Sequence, residues 1–530
     1  MAADDLGGKA DVEAADGGDG VADTVVAAAA APSATRRASV PGSQRLSDHE
    51  GEEEDDGDTP AVADGEPPFD PPFAQLLPPF GFWVDAVALL LLGGALGAFA
   101  WCYLKAITEV NNLWLRADGK ASYPEPDTLG FGQGRAWWIG LCGGAGLAVG
   151  CTRVVLGVET VPSFVAELRT MHVEPLPALK SSLVSLLGLL GGVPMGPEAG
   201  LGSIAGAAGT LLARLGARLA PRRSGSAPLR RRLAVLAAMS SVFAAILPTP
   251  LTALLLVLEL SRAQVTLGTR YGLAYGKLIT FLVVAATGGF VVYYAIAGYT
   301  YLNPLFTTLS ALLAEVYEQM YVVAGLLFGV MGAALATVYI LLAGVARALV
   351  GAMRRAMEAL LGRKACVVVL ATLGGAATGA LGWAMPLVLT DGAEQLATIL
   401  AQPQAIGSSV LAASAFAKAF AYHLSAECGF VGGLFLPMLA TSSMLGAVFR
   451  NVTSVNPLVA ASCAMIALPA ALVDAPLMLA VLAVSMLQIG PQGLVPILTT
   501  AVTAHVLCLG IGLPQWLVAK AKGRAGAAAA

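Results

Sequence analysis

Gly191-Gly192-Val193-Pro194-Met195-Gly196-Pro197-Glu198-Ala199-Gly200 breaks one apolar run of the chain, and Cys428-Gly429-Phe430-Val431-Gly432-Gly433-Leu434-Phe435-Leu436-Pro437 breaks another. Each stretch is rich in glycine, carries proline and leads into a further apolar segment. Short apolar helices interrupted in this way stop inside a membrane, with their ends turned to protein or to a water-filled cavity. Gly192, Gly196 and Gly209 recur as Gly429, Gly433 and Gly446, all displaced by 237 residues, and Thr249-Pro250-Leu251 recurs as Ala475-Pro476-Leu477 at a displacement of 226. The two halves therefore read as diverged copies; the plainer alternative is that these are only the close-packing glycines of membrane helices.

The composition around the two breaks agrees with a membrane setting. Of 530 residues 57% are hydrophobic and 12% charged, with a mean hydropathy of +0.73. A soluble domain carries roughly 25% charged residues, so this chain cannot cover the surface that a soluble enzyme exposes. Apolar segments fall at about 82–106, 136–156, 176–193, 198–215, 231–247, 250–262, 272–297, 319–350, 365–385, 407–424, 434–449, 457–473, 476–489 and 494–512. A full crossing takes about 20 residues, and several of these are too short for it. The fold class is thus all-α, multi-pass and membrane-embedded, an architecture of channels and transporters. Residues 1–80 carry a net charge of −14 and the remainder +10, so an acidic tail precedes a basic membrane body.

Residues 1–78 show no apolar periodicity and are expected to be disordered, either as a solvated extension or as a docking segment for basic loops. The tail lacks the basic start of a secretory signal and the acid-poor character of a transit peptide, which favours the plasma membrane or an endomembrane over a plastid. Arg214, Arg218, Arg222, Arg223, Arg230, Arg231 and Arg232 gather in one loop, and Arg347, Arg354, Arg355, Arg363 and Lys364 in another. The positive-inside rule puts both in the cytoplasm. The seven cysteines are dispersed without a CxxC pair and the four histidines without ligand spacing, so neither a metal nor any other cofactor is expected, nor a nucleic-acid partner.

The breaks carry the chemistry of an anion pathway. A helix that begins inside the membrane turns unsatisfied N–H groups and its positive dipole end toward the cavity, and glycine lets that backbone approach an ion. Two such ends, one from each half, replace the hydration shell of a small anion without a full charge that would trap it. Glu198 stands at one of these helix starts, where a carboxylate can take the anion's own place and leave it on protonation or displacement. The alternative is that Glu198 only caps its helix.

Gly196-Pro197-Glu198-Ala199 resembles the glutamate-bearing pore motif of the CLC family of chloride channels and proton-coupled anion exchangers, in a GPEA variant of the usual GREGP or GKEGP. Gly433-Leu434-Phe435-Leu436-Pro437 is similar to that family's GxFxP motif, and Lys418 through Gly433 to its KxxxxxLSxxxGxxGG approach. The resemblance covers about residues 85–520. It implies a CLC-like transmembrane domain over 79–520, with two inverted repeats at about 82–297 and 319–512, re-entrant helices, and a short C-terminal tail at 521–530. It further implies a homodimer with one anion pathway per subunit, chloride as the transported ligand and Glu198 as the gate. Gly196, Ala199, Leu434, Phe435 and Leu436 then line the anion site, with Gly433, Pro437 and the basic Lys180 behind it. Trp516, in Pro514-Gln515-Trp516, takes the place of the family's pore tyrosine, or is an interfacial tryptophan. The chain ends soon after it, so the nucleotide-sensing domain pair (CBS domains) of many relatives is expected to be missing.

Three departures from the family pattern bear on function. Its first pore motif, GSGIP, is reduced to Val158-Glu159-Thr160-Val161-Pro162, leaving Thr160 and Pro162 as candidate contacts without the serine. Gly200 replaces the proline that closes the gate motif. In Pro250-Leu251-Thr252-Ala253 through Glu259-Leu260-Ser261-Arg262, the position of the exchangers' internal proton-transfer glutamate is Leu260, and leucine holds no proton. The expectation is a voltage-gated-type chloride channel passing anions passively, with chloride/proton exchange through Glu198 as the alternative. A non-conducting membrane scaffold or regulatory subunit is the reading from another class.

Overall fold

The computed structural model of the chain describes residues 80–116, 123–158, 164–219, 227–271, 275–302, 320–453, 455–490 and 493–511. From Ala86 onward the described helices belong to one unit. The expected acidic tail, the short C-terminal tail, Thr160, Pro162 and Trp516 lie outside the described residues.

The described chain is helical throughout. In order the helices are α1 (Phe80–Leu115), α2 (Trp137–Leu156), α3 (Phe164–Thr170), α4 (Pro175–Leu190), α5 (Glu198–Leu219), α6 (Ala227–Ile246), α7 (Pro250–Ser261), α8 (Ala263–Tyr271) and α9 (Tyr275–Ala297). The second half holds α10 (Met320–Leu361), α11 (Arg363–Ala384), α12 (Ala393–Ala401), α13 (Pro403–Ile406), α14 (Ser408–Glu427), α15 (Phe435–Val452), α16 (Pro457–Leu472), α17 (Pro476–Leu487) and α18 (Leu494–Ile511). Among the described residues, five helices are long and apolar enough to cross a bilayer: α1, α2, α9, α10 and α11. The shorter apolar helices include α4, α7, α16 and α17, which at 12 to 16 residues fall short of the roughly 30 Å hydrocarbon layer.

Local sequence explains where these short helices start. Proline occupies the first helical position of α4, α7, α16 and α17, where its missing N–H costs nothing. Thr249 Oγ1 accepts from the Thr252 amide at 3.2 Å to cap α7, and Asn456 Oδ1 accepts from the Leu458 amide at 2.8 Å to cap α16. Two expected spans were too short. Segment 82–106 continues to Leu115 and segment 319–350 to Leu361, because Glu109, Asn111 and Asn112 in the first and Arg354 and Arg355 in the second lower the hydropathy while the helical backbone runs on.

The two halves are copies in backbone as well as in sequence. α4 and α14 end at Leu190 and Glu427, Gly192 and Gly429 both take positive φ, and α5 and α15 begin at Glu198 and Phe435, each pair 237 residues apart. α7 and α17 are both 12 residues long and both close on a left-handed residue, Arg262 and Gln488, 226 apart. The glycines repeated in the sequence thus mark equivalent turns, which the packing alternative alone does not explain. Elsewhere small residues do set the packing. Gly143, Gly146 and Gly150 of α2 face Ala376, Ala371 and Val368 of α11, an antiparallel pair at backbone contact.

Candidate functional site

The two breaks meet. The Gly196 amide donates to the Gly433 carbonyl at 2.9 Å and the Gly433 amide to the Gly196 carbonyl at 2.7 Å, a two-bond antiparallel bridge joining the halves. From this bridge α5 and α15 leave with their N-terminal ends close together. The Glu198 side chain is 3% exposed, and its Oε1 accepts from the Leu436 amide of α15 at 3.0 Å. Its carboxylate therefore also sits on the helix start of the opposite repeat, the place the sequence assigns to an anion. Oε2 is buried without a hydrogen-bond partner.

Glycine at both ends of the bridge leaves room for the Glu198 carboxylate. A Cβ on Gly196 or on Gly433 would overlap the Glu198 carboxylate, and in both cases the atoms met first are those of Glu198. The carboxylate is thus seated in the gap left by two missing side chains. Gly200 has a related role: a Cβ there would come within 2.7 Å of the Tyr103 hydroxyl and 2.8 Å of Ser185 Oγ. The substitution of the family proline by Gly200 accommodates that close approach as well as loosening the turn.

The other expected lining residues divide into those assembled here and those elsewhere. Ala199, Leu434, Phe435, Leu436 and Pro437 are all buried around the bridge, on the first turns of α5 and α15. Lys180 is not in this group. It is half-buried on α4, and its Nζ donates to the Leu156 carbonyl at the end of α2 at 2.8 Å. Leu260 is 1% exposed within α7. The adjacent Glu259 is already engaged: its carboxylate accepts from the Leu477 amide at 3.1 Å and the Met478 amide at 2.8 Å, capping α17 of the second half.

Sequence reading gave no role to three residues of this region. Lys418 opens the lead-in to the second break, yet its role emerges only in three dimensions. It is fully buried, and its three N–H groups are shared among the carbonyls of Leu387, Val388, Leu389 and Thr390, at 2.9 to 3.2 Å from Nζ, and Gln395 Oε1 at 3.4 Å. This ammonium holds the loop before α12, and the Thr390 amide in turn donates to the Gly192 carbonyl at 2.9 Å, tying the loop to the first break. Asp391 comes next on that loop, accepting from the Tyr301 hydroxyl at 2.7 Å, and both line a cleft with Asn111, Leu189, Val193 and Pro197. A lone lysine inside an apolar helix was the available signal for Lys418; Asp391 and Tyr301 had none, since they meet across 90 residues.

A sequence profile described as "Voltage gated chloride channel" matches residues 144–509, more than half of the chain. The chain belongs to that family, the CLC family. Three solved structures share its fold. A slow cyanobacterial Cl−/H+ antiporter is 17% identical, with a TM-score of 0.63 over 83% of this chain and 98% of the other. A CLC-type fluoride/proton antiporter is also 17% identical, with a TM-score of 0.54 over 82% and 97%. A eukaryotic CLC transporter is 18% identical, with a TM-score of 0.57 over 83% and 75%. No curated protein matches the chain in sequence. The protein is thus an all-α CLC membrane protein of the anion-transporting class, with two inverted repeats and helices that begin within the membrane.

Proposed function

We propose that this CLC protein conducts chloride or a similar monovalent anion passively, as a homodimer with one pathway per subunit in the plasma membrane or an endomembrane, and that Glu198 gates each pathway. The carrying observation is Leu260: the position that resembles the exchangers' internal proton glutamate holds a buried leucine, and the neighbouring Glu259 is committed to capping α17. The bridge of Gly196 and Gly433 supports the gate, since the carboxylate seated there accepts the α15 amide that an anion at the same place would take. Backbone amides near Leu434, Phe435 and Leu436 are the anion ligands in this reading. Thr160 and Pro162, in the counterpart of the family's first pore motif, and Trp516, in the place of its pore tyrosine, are further anion contacts in this reading, and the channel is of the voltage-gated type.

Exchange is the second reading, and one observation favours it. Glu167 on α3 is buried, and its Oε2 accepts from Ser203 Oγ on the gate helix at 2.7 Å, which puts a carboxylate other than Glu259 between α5 and the rest of the first half. The test is chloride efflux from liposomes holding the purified protein, with proton movement followed in the same vesicles. Efflux without uphill proton movement supports the channel. Stoichiometric proton pumping driven by a chloride gradient, abolished in Glu167→Gln, replaces it with exchange; no flux at all, in wild type or in Glu198→Ala, leaves the scaffold.

A further inference from the structure

The cleft that Asp391 and Tyr301 line has the wrong charge for an anion. Its volume is about 20 Å³, room for about one water molecule. Among the described residues its lining holds two carboxylates, Asp391 and Glu394, and no basic side chain. Pro197 also lines it, so the cleft reaches the residue before Glu198. The loop carrying Asp391 is fixed against the first break by the Thr390 amide on the Gly192 carbonyl, and Asp391 is 7% exposed. Its Oδ2 accepts from the Tyr301 hydroxyl and its Oδ1 from the Ala393 amide at 3.0 Å, so both oxygens act as acceptors. On the α1 wall, Asn111 is 6% exposed and its Oδ1 has no hydrogen-bond partner. An acceptor left unmade beside two carboxylates calls for a donor or a cation.

The charged groups packed around the cleft leave it negative. Lys418 faces Asp391 from α14, with its N–H groups shared among the loop carbonyls and Gln395. At the end of α1, Arg116 and Glu109 both act on Glu394, and the phenol of Tyr123 faces Asp391 and Glu394. Among the described residues, the three carboxylates of Asp391, Glu394 and Glu109 thus stand against the two bases Lys418 and Arg116. The Glu198 carboxylate lies within electrostatic reach of Asp391 and Tyr301 on the cleft side, and of Tyr422 on α14. Chloride is repelled from such a cleft, and a proton is drawn into it.

We propose that this cleft is the proton port of the gate: Asp391 and Glu394 draw a hydronium ion to the side of Glu198 by a route that the anion avoids. The proposal rests on the reading of Glu198 as the gate. The hydronium gives one proton to the Glu198 carboxylate and stays behind as water, so the gate loses its charge and with it the charge-assisted bond to the Leu436 amide. The proton leaves by the reverse step, from the Glu198 carboxyl to a water in the cleft. Asp391 and Glu394 act on the gate by their charge, without touching the anion.

The test is chloride efflux from liposomes holding the purified full-length protein, with the same pH on both sides and a series of pH values. Flux is expected to rise with acid as Glu198 is neutralised. Asp391→Asn keeps an oxygen for the Ala393 amide and removes a like charge from beside the gate, so more acid is needed to neutralise Glu198. Its flux midpoint is expected to fall by about one pH unit, a ten-fold higher proton concentration. Glu394 is only half-buried, so Glu394→Gln is expected to fold and to move the midpoint the same way by less, while Glu394→Asp restores it by keeping the charge. Wild-type midpoints in both Asp391→Asn and Glu394→Gln overturn the port, even where the overall flux is lower. A rise of flux at every pH in Asp391→Asn puts the anion in the cleft and overturns it as well. Glu198→Ala separates the two readings: a pH response that survives in it overturns gate and port together, whereas its loss there, with unmoved midpoints in the cleft variants, overturns the port alone.

Discussion

Gly433→Ala tests the seating of the gate with one methyl group. Gly433 is not at positive φ, so alanine meets no backbone penalty, and the nearest atoms to the new Cβ all belong to Glu198: Oε2 in overlap, Cδ at 2.6 Å and Cβ at 3.1 Å. The flexible carboxylate is what must yield. Leaving its seat, it loses the Leu436 amide at 3.0 Å, a charge-assisted hydrogen bond worth about 1.5–3 kcal/mol, so occupancy of the closed position falls roughly 10- to 150-fold. The assay is chloride efflux from liposomes over a pH series. Wild-type flux is expected to vary with pH and Gly433→Ala flux to be high and flat. In Glu198→Ala the same methyl has no carboxylate to displace, so the double variant should match Glu198→Ala. A Gly433→Ala protein with the wild-type pH profile, or a further rise of flux in the double variant, refutes the reasoning.

Glu198→Ala alone is expected to keep chloride efflux and lose its pH dependence in the same assay. Lys418→Met strips the donor from four loop carbonyls at once; even if most recover other partners, a loss of about 3 kcal/mol or more is expected, read as a lower melting temperature and poor yield of monodisperse protein. Glu259→Gln keeps an acceptor but removes the charge from the start of α17, costing about 1 kcal/mol in thermal unfolding while leaving efflux intact and still free of proton coupling.

The repeat and the site were legible because both rest on backbone demands that few residues satisfy. Positive φ at Gly192 and Gly429 admits little but glycine, and the seat of Glu198 between Gly196 and Gly433 leaves no room for a Cβ while the carboxylate is in place, so both pairs survive as a displacement of 237 even where the helices between have diverged. Glu198 stood out as an ionisable group at membrane depth. What stayed hidden is long-range pairing. That Glu198 bonds Leu436 across 238 residues, that Lys418 serves the loop 28 to 31 residues before it, and that Tyr301 meets Asp391 depend on how helices pack, which periodicity does not encode. The partner of Lys180 was hidden in the same way: its Nζ donates to the Leu156 carbonyl at the end of α2, 24 residues earlier.

The duplication also shows where the two repeats part. Equivalent turns bring two glycines face to face, and the bridge they make is reciprocal, each donating to the other. Reciprocity ends at the helix starts just beyond the bridge. The start after Gly196 offers Glu198, and the equivalent start after Gly433 offers Phe435, which has no charge to seat. One acidic side chain therefore serves both helix ends. The same division recurs at α7 and α17: Glu259 crosses from the first repeat to cap the second, while its counterpart at the displacement of 226, Ser485, turns back to the Val481 carbonyl of its own helix at 2.7 Å. In both places the first repeat supplies the carboxylate and the second supplies the amides. Ionisable groups at membrane depth are costly, so two copies of a site are made to share one carboxylate rather than bury two. The scaffold doubles and the charge does not.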